Sequence, residues 1–337
     1  MKKVLCLLSV FLFFGCATSI RINVTKPAEV NMAGARKIAV LDVNYSESGV
    51  IDLGSLFDKP LISILFGNSH REQINQDVTK YTTNNITMSL LNTGYFTIVG
   101  ARELSEYFGE GKDINPLSIG SKSGAEAIIV SDITLMDYND DDFYEKEQVY
   151  NSVTETTDEV SVRYFKRTVE FSLSYRVLNT KNGNLLASRQ FNESQFHKVK
   201  YENKDNIKSE VSLFQTCVDN IMPLIAKQLA PYVVAEYRYL LKDETKDPAM
   251  ERADELVQGS LYKEAFDIFI DIWGKNQNPA AGYNAAIMQE AMGLAQEAHD
   301  LMKEVGVKTG SKEAMREHQR LKTVLQEIAE VEAQMKE

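Results

Sequence analysis

The chain has 337 residues, a formal net charge of −11 and 44% hydrophobic residues. A chain of this length can bury the core of one medium-sized domain and of a second, smaller one. The acidic balance argues against nucleic-acid binding, which relies on basic patches, and against electrostatic attraction to anionic lipid headgroups.

The first sixteen residues have the pattern of an export signal. A cationic Met-Lys-Lys start precedes a short, mostly apolar run over residues 4–14, and Gly15 and Cys16 follow. This run is too short to cross a bilayer as a helix, which needs roughly 20 apolar residues, and the order of features is typical of a secretory signal peptide. Residues 12–16, Leu-Phe-Phe-Gly-Cys, resemble the lipobox of bacterial lipoproteins, with Phe13 where Leu is usual.

The lipobox resemblance implies cleavage between Gly15 and Cys16 and attachment of acyl chains, palmitate among them, to Cys16. Two or more chains hold a protein firmly on a membrane, whereas a single chain binds marginally. Ala17 follows the cysteine, and by the same resemblance favours the outer membrane, with the protein facing the periplasm. Membrane lipid is therefore one expected partner. An ordinary signal peptide in which Cys16 occurs by chance is the alternative.

Elements of a mixed α/β domain follow a lipidated linker at residues 16–35, in which Ile22 and Val24 are candidates for a short edge strand. The apolar runs and helical periodicities predict, in chain order, a strand at 37–43, a helix at 72–91, a strand at 95–99, helices at 102–108 and 116–123, and a strand at 127–135. Alternation of strands and helices predicts a sheet with parallel strands and flanking helices.

Two stretches of this domain have more than one interpretation. The apolar patch at 61–66, within a long loop, is either an exposed contact site or a buried helical turn. Asp137, Asn139 and Asp141 have the spacing that opens a calcium-binding loop, but Asp142 replaces the required glycine. We therefore expect a solvated acidic turn there and no metal site.

The rest of the domain is predicted to be antiparallel and then helical. Residues 160–178 alternate in hydrophobicity, Asn182-Gly183 is a strong hairpin signal, and residues 185–196 form the return strand. A long amphipathic helix is expected over 208–241, with prolines as candidate breaks. The lone Cys217 on this helix is most simply a small buried apolar residue.

The C-terminal part is predicted to be all-helical after a charged hinge at 243–248. Gly259 and Gly293 lie about 34 residues apart, which is typical of helix–turn–helix repeats, and small residues at such places let helices cross closely. A charged helix is expected at 311–337.

The C-terminal residues resemble tetratricopeptide repeats over about 248–305. The matching residues are Leu256, Gly259, Tyr262, Ala265, Phe269 and Pro279 in one unit and Ala286, Gly293, Ala298 and Met302 in the next. A generic bundle of helical hairpins is the alternative. The concave face of such repeats is a plausible peptide groove, and four aromatic residues are candidates either for partner binding or for the core: Tyr262, Phe266, Trp273 and Tyr283.

The middle part, about 36–240, resembles the curli-secretion-channel (CsgG-like) lipoproteins and the related lipoprotein activators of penicillin-binding proteins. Four segments carry the resemblance: residues 37–43, 93–100, 124–134 and 173–188. The sequence thus predicts a signal peptide at 1–15, the linker at 16–35, a CsgG-like α/β domain at 36–242 and a tetratricopeptide-like domain at 248–337.

We found no catalytic set in the sequence. The four histidines show no metal-ligand spacing, and the Gly-x-Ser-x-Gly and phosphate-binding loop motifs are missing. No cofactor and no enzymatic activity are predicted. The leading hypothesis is a non-catalytic, membrane-anchored adaptor or assembly factor that binds other envelope proteins. The alternatives are a homo-oligomeric subunit of a secretion or export complex and, less favoured, an enzyme acting on cell-wall polymer.

Overall fold

The computed structural model describes residues 18–45, 70–100, 103–104, 115–152 and 155–336. In chain order the elements are β1 (Ser19–Lys26), β2 (Lys37–Val40), β3 (Asn44–Tyr45), α1 (His70–Asn92), β4 (Thr97–Val99), α2 (Pro116–Ser123), β5 (Ala127–Asn151), β6 (Thr156–Asn179), β7 (Leu185–Lys200), a 3₁₀ helix (Tyr201–Asn206), α3 (Glu210–Leu229) and β8 (Tyr232–Tyr239). The helices α4 (Pro248–Gln258), α5 (Tyr262–Asn276), α6 (Pro279–Ala291), α7 (Ala295–Thr309) and α8 (Lys312–Lys336) complete the chain.

The described residues divide into two compact units. The sheet unit is built mainly from residues 27–232. The helical unit contains residues 18–26 and 233–333. The sequence placed the boundary at a hinge after residue 242, and the structure differs because β1 and β8 pair with each other and belong to the helical unit.

The sheet unit contains a mixed sheet with strand order β4-β2-β5-β6-β7, and β3 pairs with β5. Strand β2 runs parallel to β4 and to β5, while β5, β6 and β7 are antiparallel. Helices α1 and α3 share a core cluster with one face of the sheet, and α2 packs on the other face. The mixed α and β class expected from the sequence is confirmed.

Buried residues recur along the helices at the spacing that creates an apolar stripe. On α1 the six buried residues are Ile74, Val78, Thr82, Thr83, Ile86 and Leu90, which lie on one face because a helix turns once in 3.6 residues. Helix α2 begins with Asn115 accepting a hydrogen bond from Ser118 N and ends at Gly124, whose φ of 68° is left-handed. The predicted limits of α2 are thus confirmed, because both caps are readable from sequence.

Strand β5 is longer than expected, and the predicted acidic turn at 137–141 is wrong. These residues are extended and pair with β6 without a break as far as Asn151 and Thr156. The physical reason is that β6 supplies a ladder partner for this backbone and Arg167 pairs with Asp140, while the acidic side chains stay exposed on the strand.

Helix α3 ends at Leu229 rather than continuing to residue 241. Pro231 lacks the N–H that a continuing helix requires. The following Tyr-Val-Val-Ala-Glu-Tyr-Arg-Tyr is rich in β-branched and aromatic residues and alternates in burial, and it forms β8. The predicted short edge strand in the linker is confirmed as β1, an eight-residue strand that pairs with β8.

In the helical unit α4 packs against α5, α5 against α6 and α6 against α7. Ala265 and Ala298 are fully buried at these contacts. The expectation that small residues let helices cross fits Ala265 and Ala298 but not Gly259 and Gly293, because both glycines lie at turns and a Cβ on Gly293 would meet no atom within 4 Å. The close approach occurs at Gly282, where a Cβ would lie 2.5 Å from Val305 and 2.9 Å from Trp273.

No helix among the described residues combines the length and apolarity needed to cross a bilayer.

Candidate functional site

The residues predicted to carry the lipid anchor, Gly15 and Cys16, lie outside the described residues, as does the apolar patch at 61–66. Signal cleavage and acylation therefore stay predictions.

The four candidate aromatic residues do not share one environment. Trp273 and Tyr283 are 4% and 7% exposed and form part of the helical unit's core. Tyr262 and Phe266 are half-buried and pack against the same core. The core interpretation fits Trp273 and Tyr283 best, and burial raises the pKa of Tyr283. A partner-binding role for the set stays a prediction, for which Tyr262 and Phe266 have the accessible surface.

The most distinctive feature of the sheet unit is a long ribbon, which we call the arm; it has three strands near its base and only two, β5 and β6, beyond the Tyr164–Lys200 pair. It comprises residues 137–151 of β5, 156–168 of β6 and 192–200 of β7. Most of its side chains are exposed on both faces of the ribbon. At about 3.3 Å per residue, the β5 portion alone is about 50 Å long.

Ion pairs between strands hold the base of the arm. Arg167 donates two hydrogen bonds of 2.7 Å to Asp140, which lies directly opposite on β5, and also pairs with Glu210 at 2.9 Å. The bidentate geometry lowers the pKa of Asp140. Arg163 also pairs with Asp142, which lies diagonally across the ladder because Asp142 is opposite Phe165.

The third strand adds basic residues to the acidic β5. Lys198 pairs with Glu145, and Lys200 lies 3.1 Å from Glu147. Lys198 also lies 4.4 Å from the centre of the Tyr164 ring, which stacks on Phe143. The arm is thus held by alternating charge pairs and aromatic contacts rather than by an apolar core.

Both long edges of the arm lack a ladder partner among the described residues. Strand β5 pairs on its outer side with β2 and β3 only as far as Ile133, and β7 ends the strand order. The two edges differ in charge: residues 137–147 hold six acidic side chains and one lysine, whereas the β7 portion of the arm carries Lys198 and Lys200 against Glu193. Edge strands present unpaired N–H and C=O groups that favour pairing with another chain.

A buried carboxylate lies where β5 leaves the parallel part of the sheet. Asp132 is 7% exposed, and burial raises its pKa despite Arg176 at 3.8 Å and a hydrogen bond with Asn44. The neighbouring Ser131 hydroxyl is buried without a partner. A perturbed carboxylate is a functional-site signal only when further chemistry converges on it, and here burial alone accounts for the raised pKa, which Arg176 opposes.

A buried ion network lies in the helical unit and was missed by sequence reasoning. Glu290 of α6 accepts hydrogen bonds from Arg238 of β8 at 2.9–3.1 Å and from Arg320 of α8 at 2.5 and 2.9 Å. Burial alone would lower the pKa of Arg238, but its hydrogen bonds to Glu290 and Glu236 outweigh that effect and raise it. The network binds the inner face of the β1–β8 sheet to two helices.

The network continues towards β1. Lys26 lies 2.9 Å from Glu236 and 2.8 Å from Glu327 of α8. Asn284 of α6 extends the attachment, because it accepts a hydrogen bond from Leu241 N and donates one to Leu241 O. The signal available in the sequence was Glu236 and Arg238, which are two residues apart and therefore lie on the same face of β8.

Candidate chemical groups elsewhere do not converge. The rings of His299 and His318 lie 4.2 Å apart, but no group of three or more His, Cys, Asp or Glu residues able to hold a metal occurs within the described ranges. Cys217 is fully buried on α3, and burial raises the pKa of its thiol to about 12. Its thiolate is therefore scarce at neutral pH, as expected for a structural cysteine.

No family model and no curated protein matches this chain. Solved structures with partial similarity include the PelC dodecamer from Paraburkholderia phytofirmans, with 8% identity, a TM-score of 0.28, and coverage of 63% of this chain and 99% of the other. Lipoprotein GNA1162 from Neisseria meningitidis has 14% identity, a TM-score of 0.26, and coverage of 57% and 98%.

A putative neuraminyllactose-binding hemagglutinin homolog from Helicobacter pylori has 12% identity, a TM-score of 0.31, and coverage of 61% of this chain and 89% of the other. At these scores, the superpositions assign neither a family nor a function to this chain.

Proposed function

We propose that this chain is a non-catalytic lipoprotein of the bacterial envelope, anchored through acylated Cys16, that acts as a protein-binding adaptor or assembly factor. The observation that carries the proposal is the arm, an exposed and charge-paired ribbon with two open edges.

The arm favours protein binding for an energetic reason. A ribbon with no apolar core of its own is only marginally stable in water, and open strand edges are a liability that most proteins cover or shorten. This chain instead stabilises a long ribbon with Arg167 and its neighbours and leaves the edges accessible. Strand addition to such an edge is a common mode of peptide recognition.

The helical unit supports the same function. Its consecutive helices pack in series, as the resemblance to tetratricopeptide repeats implies, and Tyr262 and Phe266 supply accessible aromatic surface there. Repeats of this kind commonly bind peptides on their concave side.

The anchor is tested on the purified mature protein. Mass spectrometry of the N-terminal peptide should show a chain that begins at Cys16 and carries acyl mass on that residue. A chain that retains Met1, or that begins at an unmodified cysteine, would contradict the anchor.

The adaptor role is tested by site-specific photocrosslinking in whole envelopes. A photoreactive residue at Tyr144 or Tyr150, both strongly exposed on the arm, should give a reproducible protein adduct. The same probe at Val307, which is equally exposed on α7, is the control and should not give that adduct. Absence of any arm-specific adduct would overturn the proposal.

A second candidate function is that of a subunit in a homo-oligomeric secretion or export complex. The opposite charges of the two arm edges favour it, because the basic β7 edge of one copy suits the acidic β5 edge of the next. Such a head-to-tail contact generates a ring when its rotation closes. Light scattering in detergent distinguishes the two functions: a monomer contradicts the ring and leaves the adaptor role intact.

A further inference from the structure

The two-stranded sheet of the helical unit has one covered face and one open face. Ile20, Ile22 and Arg238 are buried on the inner face. On the outer face every second residue of both strands is exposed, namely Ser19, Arg21, Asn23 and Thr25 on β1 and Val233, Ala235, Tyr237 and Tyr239 on β8. Three large side chains dominate this outer face: Val233, Tyr237 and Tyr239 are 64%, 59% and 61% exposed.

The charge of the outer face differs from that of the whole chain. Its residues include Arg21 and no carboxylate, although the chain carries a net charge of −11. The carboxylates of this part of the chain, Glu236, Glu290 and Glu327, are paired with cations on the inner side. A face with two tyrosines, one cation and no acid suits the headgroup region of a bilayer, where tyrosine is enriched and arginine reaches phosphate groups.

The position of this face along the chain points to the same occupant. Strand β1 begins at Ser19, three residues after Cys16. Three extended residues span at most about 10 Å. The N–H of Leu240 donates to Thr18 O, so the end of β8 that carries Tyr239 lies beside the start of β1. Acyl chains on Cys16 would therefore hold these tyrosines close to the membrane surface.

We propose that the outer face of the β1–β8 sheet lies on the bilayer, with Tyr237 and Tyr239 in the headgroup region and Arg21 beside lipid phosphates. This inference rests on the proposed acylation of Cys16. The acyl chains already supply the affinity, so the face supplies orientation: it fixes which side of the helical unit is turned towards the membrane and which side is presented to the periplasm.

The experiment measures the depth of single labels on the acylated, full-length protein. An environment-sensitive fluorophore is attached to Tyr237→Cys, Tyr239→Cys or the control Val307→Cys; Cys217 is buried and Cys16 is blocked by its lipid. The variants are reconstituted in phosphatidylethanolamine–phosphatidylglycerol vesicles that contain brominated acyl chains. We expect a blue-shifted emission and bromine quenching at both tyrosine positions, and aqueous, unquenched emission at Val307.

The outcomes separate this inference from the anchor. Protein that fails to float with the vesicles contradicts the anchor itself. Protein that floats while labels at positions 237 and 239 stay aqueous overturns the membrane-facing sheet and leaves the anchor intact. Blue-shifted labels without bromine quenching show that a second copy or another protein covers the face, and this result also overturns the inference.

A second variant tests orientation without labelling the tyrosines. Tyr237→Ser with Tyr239→Ser should leave flotation unchanged, because the acyl chains remain. A label at Val233→Cys should then lose more than half of its bromine quenching relative to the parent protein. Unchanged quenching in a variant that keeps its circular dichroism spectrum would contradict a role for the tyrosines.

Discussion

Gly282 shows how tightly the helical unit is packed at the scale of one residue. A methyl group there would lie 2.5 Å from Val305 Cγ2 and 2.9 Å from the Trp273 ring. Overpacking typically costs about 1–3 kcal/mol, more than the roughly 1 kcal/mol that alanine gains over glycine in a helix. We therefore predict that Gly282→Ala lowers the free energy of unfolding, measured by urea denaturation.

Gly274 is the matched control for this substitution. It lies on the neighbouring helix α5, where a Cβ would meet no atom within 4 Å. Gly274→Ala should raise the free energy of unfolding by about 0.5–1 kcal/mol through helix propensity alone. Equal effects of the two substitutions would contradict the close helix crossing.

Two nearby carboxylates, Asp243 and Asp254, should affect the stability of the protein with opposite dependence on pH. Burial raises the pKa of Asp243, but hydrogen bonds from Asp247 N, Asn278 and Thr245 outweigh burial and lower this pKa to about 2. The stability that Asp243 contributes is thus complete above its unfolded pKa of about 4 and is lost as the pH falls towards 2. Asp243→Asn should destabilise the protein at pH 7 and have little effect at pH 2.

Asp254 is the contrasting case. Burial, with repulsion from Asp243 and Glu251, raises the pKa of Asp254, and its Oδ1 is buried without a partner. Its charged form therefore costs stability at neutral pH, and this cost disappears as the pH falls below the unfolded pKa of about 4. Asp254→Asn should raise the melting temperature at pH 7, and a decrease would contradict this assignment.

At the scale of elements, the buried ion network attaches β8 to α6 and α8. Removing Glu290 would leave Arg238 buried without its main counter-charge, and breaking a buried pair in this way typically costs about 3–5 kcal/mol. We predict that Glu290→Ala lowers the free energy of unfolding by that order, measured by denaturant titration.

The exposed pair Lys263–Asp267 on α5 is the control for the network. Such surface pairs contribute about 0–1 kcal/mol, so Asp267→Ala should change stability by no more than that. An effect of Glu290→Ala as small as that of Asp267→Ala would show that solvent reaches the network.

The elements that sequence predicted best are those with local signals. Helix α2 is bracketed by Asn115-Pro116 and Gly124, and α1 has a four-residue apolar spacing; both depend on neighbours a few residues away. The continuation of β5 beyond residue 135 depends on Arg163 and Arg167, which are more than twenty residues away in sequence. No local window contains both partners, so the acidic residues were interpreted as a turn.

The candidate site was harder to predict than the fold for a related reason. Trp273 and Tyr283 are aromatic residues of the kind that line binding grooves, but aromatic residues also fill the cores of helical domains. The packing of Gly282 between α5 and α7 is what assigns them to the core. The outer face of the β1–β8 sheet joins two strands that are more than 200 residues apart in sequence. Their common face became visible only when the pairing was known.

At the scale of the whole molecule, the net charge disfavours self-association, whereas the charges on the edges of the arm favour it. Copies with a charge of −11 repel one another, whereas the β5 and β7 edges of the arm attract. The Debye length decreases from about 30 Å at 0.01 M salt to about 8 Å at 0.15 M and 3 Å at 1 M. The repulsion between two whole copies acts over a longer distance than the attraction between paired charges at the arm edges. Moderate salt therefore screens the repulsion before it screens the attraction.

We therefore predict that oligomer mass in detergent, measured by light scattering, passes through a maximum near physiological salt and decreases again towards 1 M. Lys198→Gln with Lys200→Gln should reduce the mass at every salt concentration, because it neutralises the basic edge. Circular dichroism must show that the arm persists in this variant. A mass that depends on neither salt nor these lysines would contradict pairing between the β5 and β7 edges and leave the adaptor role as the function that the arm supports.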